Sequence, residues 1–313
     1  MGTKYRMTDE IIKMNGHTLH RIEALIDISS ANVKAGDRGG FIESEENLSQ
    51  EGDCWVGDDG QVSGDAQVSG NAIVSGSAKV SDSAKVSGLA WVTDNAIVFD
   101  NAIVSGNAQV FGNAQVFGDA QVLEGAQVSG DAQVSGNAWV YGNAQVYDSA
   151  KVSDNAWVSD NAWVAWSACI CDNAIVSGYA RVFDKAKVFG NAHVSGSAQV
   201  FGNAQVYDGA KVSWGARICD NAIVSGQAQV SGSANVSGFA WVTDNAHVHG
   251  DAQVYGNAWV HDNAEVYDRS RVSGRPEVYN DTKVSGKARV SGNAVVSGDA
   301  RVSGSTKMLG KDA

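Results

Sequence analysis

The chain has 313 residues, a formal net charge of −12, four cysteines and a single proline. No apolar stretch reaches the roughly 18 residues a membrane-spanning helix needs, so no span is expected, and the acidic balance keeps flat surfaces soluble rather than suiting them to nucleic acid. Cys54, Cys169, Cys171 and Cys219 have no second Cys or His pair at ligand spacing nearby, so they read as reduced thiols rather than as a bridge or a metal site.

The start, MGTKYRMTDEIIKM, has no apolar run and no cleavage site, and lacks Ser or Thr at position six. Neither a secretory signal nor a myristoyl signal is expected, which places the chain in the cytoplasm, of a cell or of a phage-derived element. Ile11 to Met14, the pair Asn15-Gly16, and His17 to Ile26 predict a hairpin with a tight turn. Glycines 36, 39 and 40 and the acidic Glu43, Glu45 and Glu46 follow. Residues 1–54 are therefore expected to form a β cap on whatever comes next. His17 and His20 read as solvated or structural histidines on that cap.

From Val56 to Met308 every sixth residue belongs to one column, and 40 of its 43 positions are valine; the exceptions are Ile170, Ile218 and Met308. Two residues earlier stands a second column, alanine without a break from Ala66 to Ala264. A fixed period names a repeat architecture before any local propensity is weighed. Ala, X and Val alternate inward, outward and inward as a strand requires. The next residues, such as Gly64-Asp65 or Asp82-Ser83, tolerate left-handed backbone and turn the chain. Only Val and Ala point inside, so the interior is narrow. Three hexads per coil predict an all-β fold: a single-stranded parallel β-helix of about 14 coils over residues 55–308, with a tail at 309–313. Sorted by 18, one corner column is rich in Asn and Asp (Asn101, Asp119, Asn137, Asn155, Asn173, Asn191), as stacked amides would require. A four-sided coil of four hexads remains open at this point.

The stretch Val33-Lys34-Ala35-Gly36, Gly39-Gly40, Leu48-Ser49-Gln50 and Gly52-Asp53-Cys54-Trp55, with the opening Lys4-Tyr5-Arg6, resembles the start of the YdcK-type hexapeptide-repeat proteins of bacteria. The hexads beyond it resemble the wider left-handed β-helix (LpxA-like) superfamily, although Ser, Phe or Tyr after the Val departs from its usual choice. That resemblance implies a left-handed triangular coil, often trimers, and acyl transfer.

The outward slots are where function must lie. Six tryptophans occupy the slot before Val: Trp91, Trp139, Trp157, Trp163, Trp241 and Trp259. Trp139/Trp157 and Trp241/Trp259 are 18 apart, as are Phe99/Phe117, Phe183/Phe201, Phe189/Tyr207, Leu123/Tyr141 and His249/Tyr267. Such pairs either brace neighbouring strands or form a flat strip that takes a partner. Ile73, Ile97, Ile103, Ile175 and Ile223 share these slots and favour protein over sugar. Residues 269–313 carry nine Lys or Arg against four Asp or Glu. There Arg271, Arg289 and Lys307 form a basic line, with Arg269 and Arg275 beside it. The alanine column breaks at Ser270, Pro276 and Thr282, which predicts a bulge.

No catalytic residue, metal ligand or cofactor is expected. The repeat has no inserted loop to close a pocket, and His193, His247, His249 and His261 have no acidic partners beyond the corner aspartates. The expected function is a non-catalytic scaffold or binding protein. Its partner is a protein or further copies of the chain, as in a homotrimer, with glycan as a second class. Two alternatives are a hexapeptide-class acyltransferase using acetyl-CoA, which rests on the resemblance, and an acidic decoy for a protein that handles nucleic acid.

Overall fold

A computed structural model of the chain describes residues 3–14 and 16–310. Strand β1 (Tyr5–Met14) pairs antiparallel with β2 (His17–Ala24), with an irregularity between Met7 and Ile11. The predicted hairpin is thus present, although Asn15 of its turn, like residues 311–313 of the tail, lies outside the described residues. β2 pairs antiparallel with β3 (Arg38–Ile42), and β3 passes to a parallel partner: Phe41 and Ile42 lie against Gln61 and Val62. Leu48 bridges in parallel to Val68. The first two coil edges thus receive their backbone partners from residues 38–48. Gly39 and Gly40 permit this approach, because a Cβ on Gly39 would run into the Trp55 ring and one on Gly40 into the Gly60 carbonyl.

Lys4 and Tyr5 fasten this segment from within. The fully buried Lys4 ammonium donates to the Cys54 carbonyl at 2.9 Å and lies 3.1 Å from the Cys54 sulfur. The Tyr5 hydroxyl donates to the Leu48 carbonyl at 2.7 Å. Burial first, then the nearby Glu45 and Cys54, push the Tyr5 phenol well above its ordinary pKa of 10.0. The raised value belongs to the folded state, so this stabilisation is complete below pH 10 and is lost as pH rises from there towards the folded value. We expect Tyr5→Phe to cost about 1 kcal/mol at neutral pH, from the lost hydrogen bond. It should also flatten the alkaline side of the stability curve, as followed by urea unfolding between pH 8 and 11.

The chain falls into two compact units, Met1–Asn155 and Ala156–Ala313. In each, short strands stack in parallel, every strand lying on the third one after it. In the first unit the inward column runs Val56, Val74, Val92, Val110, Val128 and Val146 on one sheet, with two further sheets built in the same way. In the second, Val164, Val182, Val200, Ile218 and Val236 pair in register. After Trp91 the chain makes strands at Ile97 and Ile103 before Gln109 returns beside Trp91, so each coil has three sides and the four-sided alternative is overturned. The Val and Ala columns of the repeat are essentially fully buried, with Ala294, Val296 and Val302 slightly exposed and Ala300 half-buried towards the last coils. Burying a Val side chain contributes on the order of 1.5 kcal/mol or more, so the columns supply most of the driving force.

The corners follow one pattern. The residue two after each Val has positive φ, and is Gly, Asp or occasionally another type. Where it is Asp, its carboxylate in most cases accepts the N–H of the corner residue one coil on. Asp160 does so from Gly178, Asp184 from Gly202 and Asp220 from Gly238, each at 2.9 Å. That bond repays an L-residue for left-handed backbone. Asp220→Ala keeps the strain and loses the bond, whereas Asp220→Gly loses both. Thermal melts should therefore rank Asp220→Ala below Asp220→Gly, with the alanine variant about 1–2 kcal/mol below the parent.

Amide ladders occur as expected, from Asn101 to Asp119 and from Asn173 to Asn191. They are not confined to one corner, however. Asn95, Asn113 and Asp131 form a second ladder, and Asn203 and Asn221 another. The expected bulge at 270–282 does not form. Val254, Val272 and Val290 stay in register through it. The buried Ser270 hydroxyl donates to the Tyr267 carbonyl at 2.8 Å, and that of Thr282 to the Val296 carbonyl at 3.3 Å. Pro276 fits because the N–H in this slot makes only a long bond within its own corner, such as Ala240 to Ser237 at 3.3 Å. The Pro276 carbonyl still accepts from Trp259.

Candidate functional site

The strand-borne tryptophans do not form one strip. In the first unit, Trp91 lies on one sheet between Ile73 and Gln109, and Trp139 on another beside Gln121. In the second unit, Trp157 pairs with Ile175, Trp163 with Arg181, and Trp241 with Trp259, on three different sheets. Spacings that are multiples of 6 but not of 18 send residues to different faces. Among these, Trp241 and Trp259 meet, edge to face with centroids 6.4 Å apart. The aromatic pairs in the slot after Val behave as strand braces. Phe99/Phe117, Phe183/Phe201, Phe189/Tyr207 and His249/Tyr267 stack at 4.7–5.1 Å within 10° of parallel.

One aromatic group in the second unit goes beyond bracing. Trp166 packs edge-on against Phe183 at 5.5 Å and against Trp163 at 6.5 Å, and Trp163 tilts against Phe183 at 5.9 Å. Phe183 in turn stacks on Phe201. The Arg181 guanidinium lies 5.5 Å from the Trp163 ring centre, and that of Arg217 lies 5.3 Å from Phe201. Both are cation–π distances. Beside this ridge runs an open groove of about 400 Å³, lined by Trp166, Ser167, Asp184, Lys185, Gly202 and Asn203. An aromatic wall, cations above it and an acid–amide floor can hold a flat apolar surface with a polar edge.

Trp166 occupies a corner slot that is usually Gly or Asp, at φ 57°, and is still 47% exposed. Trp214 does the same at φ 62° and is 73% exposed. A bulky side chain with left-handed backbone costs on the order of 1–2 kcal/mol. The strand-slot reading overlooked both residues. The signal was present in the sequence, as an indole standing where the repeat calls for Gly or Asp.

The basic line forms as expected: Arg271, Arg289 and Lys307 lie on successive paired strands and are exposed. Arg269 and Arg275 sit at corners, and Arg269 lies 3.7 Å from Asp251. His261 differs from its expectation. It has an acidic partner outside the corners, Glu277 on the next coil, 3.2 Å from Nε2. All four cysteines are free. Burial first, and then Asp220, raise the Cys219 thiol pKa. Among the described residues no helix is long and apolar enough to cross a membrane.

The YdcK beta solenoid repeat family model matches the chain at residues 66–82, 126–142, 132–148, 216–232 and 288–304, in both units. No curated protein matches it.

Proposed function

We propose that this β-solenoid repeat protein of YdcK type is a non-catalytic binding scaffold, and that the aromatic corner of its second unit takes a partner protein. The observation that carries this is the cluster in which Trp166, an exposed indole at strained backbone, packs against Trp163 and Phe183 beside the groove, contacts that the equally strained Trp214 is not shown to make. Strain of that kind persists where a function needs the side chain. Trp163, Phe183, Arg181 and Arg217 enlarge the surface with the residue types that dominate binding energy at interfaces.

The test places a photo-crosslinking amino acid at Trp166 and, as a control, at the more exposed Tyr179 in the native host. A partner joined from position 166 and not from 179 supports the reading, and equal or absent crosslinking at both removes it. A glycan array read with the parent and with Trp166→Gly separates sugar from protein. The acyltransferase reading has its own check, because a hexapeptide-class enzyme would be stabilised by acetyl-CoA. We expect no change in melting temperature with that ligand.

A further inference from the structure

We infer that Asp244, His261 and Asp262 form a binding site for a divalent transition-metal ion of the zinc type, with Glu277 as the group that orients the imidazole. The site lies in the second unit and shares no residue with the aromatic corner.

Most corner aspartates sit under a glycine one coil on, and the bond between them is 2.9–3.1 Å, as for Asp208 under Gly226 or Asp268 under Gly286. At Asp244 the next corner is another aspartate. The Asp262 N–H reaches the Asp244 carboxylate only at 3.4 Å, while Asn280 donates to Asp262 at 3.1 Å. The first unit contains the same stack, Asp82 under Asp100, also at 3.4 Å. There the neighbouring outward residue is Phe99, stacked on Phe117. In the second unit the corresponding residue is His261. The two stacks thus differ by an imidazole for a phenyl ring, and around it by Trp259 for Ile97 and Glu277 for Gln115.

That imidazole is fixed. Its ring lies between Trp259 at 4.2 Å and Tyr279 at 5.0 Å, and its side chain is only 12% exposed. Nε2 faces Glu277 Oε1 at 3.2 Å and Nδ1 faces Asp262 Oδ1 at 3.4 Å. A neutral imidazole has one N–H, so one of its nitrogens would turn a lone pair towards a carboxylate. Either a second proton or a metal ion resolves this. The distances favour the metal. A charge-assisted N–H···O bond closes to about 2.7–2.9 Å. Two ligand atoms on a tetrahedral ion, with bonds of about 2.1 Å, stand about 3.4 Å apart. One ligand atom each from Asp244, His261 and Asp262 lies within 4.8 Å of the other two. The second nitrogen, held by a carboxylate, completes the carboxylate–histidine–metal arrangement that fixes the tautomer of zinc-binding histidines. One nitrogen and two carboxylate oxygens suit zinc or a neighbouring first-row ion. Three protein ligands leave a fourth position for water or for a donor from a partner.

The test uses untagged full-length protein stripped with a chelator and titrated calorimetrically with zinc chloride. We expect one ion per chain. His261→Phe reproduces the Phe99 arrangement and should keep the ring stack, and with it the fold, while weakening zinc binding at least 100-fold. Glu277→Gln should weaken it about 10- to 100-fold. Cobalt(II) should give tetrahedral visible bands with the parent and lose them with His261→Phe. Failure of the parent to bind zinc at millimolar concentration would overturn the site. So would equal affinity in His261→Phe, which would make it unspecific attraction to surface carboxylates. NMR showing His261 as an imidazolium unchanged by zinc at neutral pH would also overturn it, and would give the position to a proton.

Discussion

Replacing Trp214 with glycine should raise the stability of the protein by about 1 kcal/mol, from relief of backbone strain. Replacing Trp166 with glycine should leave stability nearly level and weaken partner binding by about 30-fold or more. Both changes remove a bulky side chain from left-handed backbone, which relieves on the order of 1–2 kcal/mol. At Trp214 little is lost in return, since the indole is 73% exposed. At Trp166 the relief is offset by its contacts with Trp163 and Phe183, at about 0.5–1.5 kcal/mol per aromatic pair. An exposed aromatic anchor at the centre of an interface typically contributes about 2 kcal/mol or more, hence the expected loss in affinity. Equilibrium unfolding of the two variants, with affinity measured for any partner crosslinked at position 166, separates the contributions. If Trp166→Gly binds as tightly as the parent, the aromatic corner is not the site. If both variants are strongly destabilised, the corner tryptophans are structural.

Ile42→Asp should unravel the start of the first unit and cause self-association. Ile42 is fully buried and paired with Val62, so an aspartate there is an unpaired charge in a dry interior, at about 3 kcal/mol or more. Losing β3 leaves the Gln61–Val62 edge without its backbone partner, and an uncovered parallel edge is a template for another chain. In a stack where each coil touches only its neighbours, damage stays local. Amide hydrogen exchange should show protection lost around residues 5–80 and retained near Val182 and Val200. Light scattering should show species larger than the parent. Uniform loss of protection through both units would refute local coupling.

The sequence carried the coil almost completely, because an inward position that admits only Val and Ala leaves a single backbone solution. The hexad and the amide ladder from Asn101 could be read directly, whereas the choice between three and four sides, and between bracing and binding for pairs such as Phe183 on Phe201, needed the strand pairing itself. The 18-residue spacing paired Trp241 with Trp259, and the two rings do meet. What a residue pattern does not show is contact between unlike slots of adjacent coils. Glu277 lies almost a full coil beyond His261 and looked unrelated to it. At Ser270 and Thr282 a polar residue in the core column suggested a bulge, because carbonyls that satisfy their hydroxyls cannot be seen in a residue pattern. Trp166 and Trp214 stand outside the variable strand slots, in a corner slot that the repeat mostly gives to Gly or Asp.

The corner pairing of each aspartate with the glycine one coil on has a consequence for folding. The Val and Ala columns repeat every coil, so the core alone cannot distinguish correct pairing from pairing displaced by a whole coil, with the skipped hexads looped out. The acids can. A displaced register that set Asp208 against Asp244 rather than Gly226 would stretch a 3.1 Å bond towards the 3.4 Å of the aspartate stacks and place two like charges together. Many such mismatches along one chain would make a slipped intermediate less stable than the correct stack. The irregular sequence of acid and glycine at the corners thus works as an address code, written on a core that has none.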